Sequence, residues 1–358
     1  MNLFYFHSLK KKITDQIITE YINIWIHLFS FMQNIKVSIV IPTKNRASSL
    51  KETLESLFVQ TYPSNKYEII VCDDNSSDNT EEIVKDLINN THNNLRYIKV
   101  KSKIEGPAKV RNAGIIGSSG EIIGFTDDDC IVSKNWIETA VECFKKHKEA
   151  CGVYGTVITV GNCKNKMFRI SRRVDVSSDN GSYVTPNVFY KKQTLLDVGL
   201  FDTDMRYMQD IELGWRVRKK GPIIFEPSLL VNHKILCASI RTYFRRLKRT
   251  EYWVLMYSKH PEHLGEDNLI LGHLYNKSPI YITSILLCTG FFLLGSELFV
   301  LFLALSVATY LWAHVFVDAN YKKYPIRFLM FPRYSATDFI RFIYSLKASI
   351  KYKCLVLF

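Results

Sequence analysis

Residues 120–130 read GEIIGFTDDDC, an apolar run that stops at Asp127, Asp128 and Asp129. Three consecutive carboxylates repel one another and need a cation, a cap or open water. A second acidic pair, Asp73 and Asp74, closes the apolar run YEIIVC. Grouped carboxylates suit a hard divalent cation such as Mg²⁺ or Mn²⁺, which takes oxygen ligands and shares them with phosphates. Such a cation stabilises a departing diphosphate by neutralising its growing charge. Capping is the competing explanation. It serves DDNSSDNT (73–80) as well as a ligand role does, but one cap needs one carboxylate rather than three. The chain contains no GxxxxGK[ST] loop, which disfavours ordinary ATP or GTP hydrolysis.

The surrounding pattern says what holds these groups. VSIVIP (37–42) is a β-branched strand closed by proline, and Ser48 can cap a helix with Leu50, Leu54, Leu57 and Phe58 on one face. YEIIVCDD, LRYIKV and EIIGFTDDD predict three further strands. Helices are expected from Ser77 or Asp78, over 108–116 and over 135–146. Alternating strands and helices predict right-handed crossovers and an α/β fold with a mostly parallel sheet flanked by helices. Ligands of such sheets bind beyond the carboxyl ends of the strands, so both acidic clusters should face one crevice.

In that order and at those distances, VSIVIPTKNR, EIIVCDDNSSDNT, GPAKVRNAG and GEIIGFTDDD resemble the donor-binding half of glycosyltransferase family 2. VGLFDTDMRYMQDIELGWRVRKKG resembles the family's acceptor-side segment, so the likeness runs from about Val37 to His233. It implies a GT-A fold, a nucleotide-sugar donor, a divalent metal and inversion at the anomeric carbon. It also implies that Pro42, Thr43 and Asn45 line the nucleoside pocket and that Asp74 accepts from the base, which favours a UDP-sugar. Arg111 would reach the nucleotide or diphosphate. Asp127 would sit by the ribose with Asp128 on the donor side, and Asp129 would hold the metal together with Asp127 and His233. Asp210 in QDIELGWR would be the general base. Gln209 stands where the family has glutamate. Glu212 and Arg216, four apart, are expected as a surface ion pair, and Asp202 as a turn former. No glutamine follows Gln209, so the QxxRW motif of processive synthases is absent and single-sugar transfer is expected.

The 358 residues, 47% hydrophobic, exclude a disordered chain. The net charge of +13 concentrates in 241–249 and after Tyr321 rather than in an aromatic-studded basic patch, so no nucleic-acid partner is expected. Eight cysteines without CxxC or zinc-like spacing suggest a reduced protein. The apolar stretch 279–317 is about twice what one helix needs to span a bilayer. With GSE (295–297) as its turn it predicts a C-terminal transmembrane hairpin, and Lys277, Lys322, Lys323 and Arg327 place both flanks in the cytoplasm. The expected organisation is an N-terminal amphipathic, membrane-associated helix (1–35) and a GT-A-like domain (36–238). A basic interfacial helix and linker (239–278), the hairpin (279–317) and a basic amphipathic tail (318–358) follow. The expected protein is thus a membrane-resident family 2 member, catalytic domain towards the cytoplasm, acting on a lipid-linked or glycan acceptor. Two other readings share some features: a nucleotide-binding membrane protein without transferase activity, and a nucleotidyltransferase. The latter usually has a glycine-rich basic loop after its first strand, and PTKNRASS has no glycine.

Overall fold

The structure, a computed structural model, describes residues 37–90, 94–100, 106–161, 169–172, 174–265, 269–270, 274–275 and 331–357, together with Thr289, Phe292, Leu293 and Val300. The chain divides into two units: Met1–Asn162 with Arg172–Leu236, and Cys163–Ser171 with Cys237–Phe358.

In the first unit the elements run β1 (Val37–Thr43), α1 (Ala47–Phe58), β2 (Tyr67–Asp73), α2 (Thr80–Asn90), β3 (Leu95–Lys99), α3 (Pro107–Gly117), β4 (Ile122–Phe125), β5 (Cys130–Val132), α4 (Trp136–Lys146), β6 (Gly152–Val160), β7 (Val188–Lys191), α5 (Lys192–Asp197), α6 (Gln209–Arg218) and β8 (Ile223–Lys234). The strands form one sheet in the order β3-β2-β1-β4-β7-β6-β8-β5. β1 is parallel to β2 and β4, and β2 to β3. β7 runs antiparallel to both β4 and β6, β6 is parallel to β8, and β5 closes the edge antiparallel to β8. The expected mostly parallel sheet is therefore corrected to a mixed one. Only its β3-β2-β1-β4 part follows the strand–helix alternation. β7 and β5, four and three residues long, are too short to show a period in the sequence.

The sheet is buried on both faces, which is why its strands read as continuous apolar runs. Ile39, Ile41, Ile69 and Val71 pack with Leu50, Leu54, Leu57 and Trp136 on one side. Val40, Ile70 and Cys72 pack with Val110, Ile115 and Phe125 on the other, the period of two expected of strands. Asn187 ties the two halves together. Its Oδ1 accepts from Trp136 Nε1 at 2.8 Å, and its Nδ2 donates to the carbonyls of Thr156 (2.8 Å) and Leu229 (2.7 Å).

The second unit contains α7 (Ile240–Arg246), α8 (Thr250–Lys259) and α9 (Phe331–Tyr352). Ser239 caps α7 by accepting from the Thr242 amide, and α9 packs along α8. The expected membrane anchor is corrected. Among the described residues no helix is long and apolar enough to cross a membrane. α9 has the length, but Arg341, Lys347 and Lys351 along it are costly in hydrocarbon. The hairpin expectation rested on 279–317, which lies outside the described residues except for four positions, and 1–35 lies outside them entirely. Transmembrane hairpin, membrane residence and cytoplasm-facing orientation are therefore not retained. The cysteines also depart from expectation in one case. Cys72, Cys130, Cys143, Cys151 and Cys354 are free thiols, whereas Cys237 is disulfide-bonded.

α3 lies unusually close to the sheet because Gly114 has no side chain. A Cβ there would stand 2.5 Å from Val40 Cγ1 and 2.8 Å from Cys72 Sγ. Gly114→Ala should therefore cost about 1–3 kcal/mol through overpacking. Urea unfolding measures it, and an unchanged midpoint would show that α3 has room to spare.

Candidate functional site

The three aspartates occupy the turn by which the chain leaves central β4 for edge strand β5, and each meets a different partner. Asp127 Oδ1 accepts from Arg111 Nη2 at 2.8 Å. The same Nη2 donates to Thr185 Oγ1 at 2.9 Å, and the guanidinium lies 5.7 Å above the Phe201 ring. Arg111 is buried and sits one turn before Gly114 on α3, so the close helix–sheet approach aims it at the end of β4.

Asp128 is buried and commits both oxygens: Oδ2 accepts from Thr43 Oγ1 at 2.8 Å and Oδ1 from Arg46 Nη1 at 2.9 Å. Burial pushes its carboxyl up to about 6, against the opposing pull of the Arg46 charge. Asp129 Oδ2 accepts from the same Arg46 Nη1 at 2.8 Å, and its Oδ1 lies 3.5 Å from His233 Nε2. His233 is brought there by register, because Cys130 on β5 pairs with His233 on β8.

Asp129, Cys130 and His233 offer ligand atoms within 4.8 Å of one another. His233 Nδ1 lies 2.8 Å from the Lys234 carbonyl, which can only accept. Nδ1 therefore carries a hydrogen, and Nε2, the ring atom that faces Asp129, is the one placed to meet a cation there. Burial first, then the neighbouring aspartates, pushes the Cys130 thiol well up, and hard cations such as Mg²⁺ and Mn²⁺ take oxygen ligands in preference to thiolate. The donor set that fits a divalent cation is thus Asp129 and His233. Asp127 stands outside this cluster, on Arg111.

The residues expected to line a nucleoside pocket gather at the ends of β1 and β2. The Asp74 amide donates to the Thr43 carbonyl at 2.9 Å, and the Asp74 carboxylate lies 3.5 Å from Lys44 Nζ. Pro42 pairs with Cys72 in the ladder. Asn45 adopts φ +53°, and its Oδ1 accepts from the Ser77 amide at 2.7 Å. Asp73 points away from this group into the core, where Ser76 and Tyr97 donate to it.

Asp210 lies in the first turn of α6, after Met208 at φ +62°. Its Oδ1 accepts from the Ile211 amide at 3.1 Å. Burial raises its carboxyl above the ordinary range, Arg111 and the Ile211 amide pull it down, and Asp127 pushes it up. Asp210, Arg111 and Asp127 therefore share one electrostatic neighbourhood although they are far apart in sequence. Beside them, Arg111 Nε and Gln209 Oε1 are buried without a hydrogen-bond partner among the described residues. Glu212 and Arg216 do pair, at 2.6 Å, but not as a surface bridge. Glu212 is buried, and Arg216 also donates to the carbonyls of Val198 and Leu200. Gly214 fixes how α6 sits, since a Cβ there would stand 2.1 Å from the Tyr183 ring.

Two site residues were not singled out from sequence. Arg46 lies inside the PTKNR run, where a charged residue after a strand gives no sign of its partners. Thr185 follows Asp127 only after two intervening strands and carries no motif.

The sequence profile of glycosyl transferase family 2 matches residues 38–205. The glycosyltransferase AglE of Haloferax volcanii is 28% identical over 224 residues, covering 60% of this chain and 70% of AglE. Over this stretch the chain is similar to glycosyltransferase family 2. A segment of 112 residues is 32% identical to the poly(ribitol-phosphate) β-N-acetylglucosaminyltransferase TarS of Staphylococcus aureus, covering 31% of this chain and 19% of TarS. In fold it resembles the mannosyltransferase PcManGT of Pyrobaculum calidifontis, solved with GDP-Man and Mn²⁺, at TM-score 0.58 and 18% identity over 89% of this chain and 87% of that one. The fold is GT-A-like, and the profile and sequence matches make the chain a glycosyltransferase that uses a nucleotide-sugar donor.

The raised Asp128 carboxyl makes the metal-free transferase sensitive to pH. A folded-state value of about 6 exceeds the unfolded carboxylate value, so the folded protein binds the extra proton between roughly pH 4 and 6. Asp128's contribution is present below that window and declines as pH rises through it. Asp128→Asn removes the dependence. Urea titrations across the window should show the wild-type advantage over Asp128→Asn shrinking with rising pH. A constant difference would contradict the assignment.

Proposed function

We propose that this enzyme moves a single sugar, with inversion, from a UDP-sugar to a hydroxyl of a glycan or lipid-linked acceptor, with Asp210 as general base and a divalent cation at Asp129 and His233. The observation that carries the reading is that Arg111 holds Asp127 at the end of β4, its Nη2 2.8 Å from Asp127 Oδ1, with Asp210 near enough to feel both charges. It gives the acceptor-side and donor-side carboxylates one shared neighbourhood at the strand ends.

Pro42, Thr43, Asn45 and Asp74 form the nucleoside end, where the Asp74 carboxylate suits the imide N–H of uracil. Arg111 holds Asp127 towards the ribose and offers its unpartnered Nε to the donor. Asp128 keeps Thr43 and Arg46 in place behind that pocket. Asp129 and His233 are the residues that hold Mg²⁺ or Mn²⁺, whose positive charge offsets that of the departing diphosphate. Asp210 takes the proton of the acceptor hydroxyl as it attacks the anomeric carbon. A carboxyl raised by burial is a better base near neutral pH than an exposed one. Gln209, neutral where the family pattern has glutamate, removes a like charge beside that base.

Asp210→Asn keeps the shape and the N-terminal position on α6 but cannot take a proton at neutral pH. Transfer should fall about 10²- to 10⁴-fold, while donor affinity, measured by titration calorimetry, stays within about threefold because the base acts only on the acceptor hydroxyl. In the wild type, activity should be lost as pH falls through the raised Asp210 value. Transfer at the wild-type rate by Asp210→Asn would exclude this base and leave only a helix-capping role.

A further inference from the structure

Among the described residues Arg46 is the side chain that touches two of the three aspartates, and it does so through a single nitrogen. Nη1 lies 2.9 Å from Asp128 Oδ1 and 2.8 Å from Asp129 Oδ2. Both carboxylates are nearly buried, at 7% and 6% side-chain exposure, whereas the Arg46 side chain is 42% exposed. Its guanidinium therefore reaches in from the surface to a buried, charged seat. Beside it opens a cavity of about 560 Å³ lined by Asn45, Arg46, Asp78, Asn79, Asp129 and Lys234. On the far side of Asp129 lies His233, its Nε2 3.5 Å from Asp129 Oδ1.

We propose that Arg46 is an internal counter-cation that a divalent metal displaces from Asp129. This rests on the reading of Asp129 and His233 as the metal site. Without metal, Arg46 offsets the repulsion between Asp128 and Asp129 and keeps Asp129 oriented. When a divalent cation takes Asp129, two cations within reach of one carboxylate repel each other, and the guanidinium swings into the adjoining cavity. Asp128, still bonded to Thr43, stays put. Metal alone therefore binds against an ion pair that must first open. An anion entering the cavity offers the displaced guanidinium a new partner, so metal and an anionic ligand favour each other's binding. Arg46 is a positioning residue in this scheme, acting through Asp129.

The test is the binding of Mn²⁺ alone, followed by electron paramagnetic resonance of the free ion at low ionic strength. Arg46→Met should bind Mn²⁺ about tenfold more tightly than wild type, about 1.4 kcal/mol, and Arg46→Gln serves the same purpose if Arg46→Met does not fold. Arg46→Lys keeps the charge and should stay near wild type. Lys234→Met removes an equal charge from the same cavity; Lys234 pairs with Glu52 rather than Asp129, so this variant should change affinity less than about threefold. Adding Asp129→Asn to Arg46→Met should abolish the gain. The proposal is overturned if Arg46→Met binds Mn²⁺ no more tightly than wild type, if Lys234→Met matches its gain, or if the gain survives Asp129→Asn. Absence of Mn²⁺ binding in every variant would overturn the metal site as well. Loss of transfer in Asp210→Asn bears on the base alone, so the two failures are distinguishable.

Discussion

Three consecutive carboxylates at the end of a central strand would destabilise any fold that left them together, and the rest of this site is organised by how they are separated. The chain sends Asp127 to Arg111, Asp128 to Thr43 and Arg46, and Asp129 to Arg46 and His233. Each partner comes from a different element: α3, the β1–α1 junction and the end of β8. The separation works because β4 sits mid-sheet while β5, immediately after the turn, lies at the far edge. A turn that carries the chain to a new set of strand neighbours leaves each side chain its own direction.

The same geometry explains why the sheet is mixed. Had β5 continued the parallel series beside β4, His233 would not lie opposite Cys130 or face Asp129. β7 fills the place next to β4 instead, antiparallel, and the short turn before it delivers Thr185 to Arg111 and Asn187 to Trp136. The strand reversal and the division of the carboxylates are thus two consequences of one chain path.

Much of this was legible in sequence where local physics and position coincide. The β-branched runs marked β1, β2 and β4, and acidic residues do follow β2 and β4, although Asp73 turns into the core instead of towards the other cluster. The glycine of GPAKVRNAG had a reason that only packing reveals, the contact of α3 with Val40 and Cys72. Pairings set by long-range register were not legible. Nothing near His233 announces Cys130, and nothing in PTKNR distinguishes Arg46 from a solvated arginine. The ion pair of Glu212 and Arg216 was visible as a spacing of four, but its burial was not, because spacing reports a helix face and not what covers it. The stretch 279–317 misled for a related reason: apolar length is a property of composition, and no described helix realises it as a membrane span.

The central claim is that the three aspartates perform three different tasks and that Asp129 alone of them answers to the metal. Thermal unfolding with UDP-sugars, with and without Mn²⁺, tests it directly in the wild type and in Asp127→Asn, Asp128→Asn and Asp129→Asn. Ligand that binds only the folded state raises the melting temperature in proportion to its binding free energy. The account predicts a Mn²⁺-dependent rise in the wild type that persists, though reduced, in Asp127→Asn and Asp128→Asn and vanishes in Asp129→Asn. A Mn²⁺-dependent rise in Asp129→Asn equal to that of the wild type would contradict it.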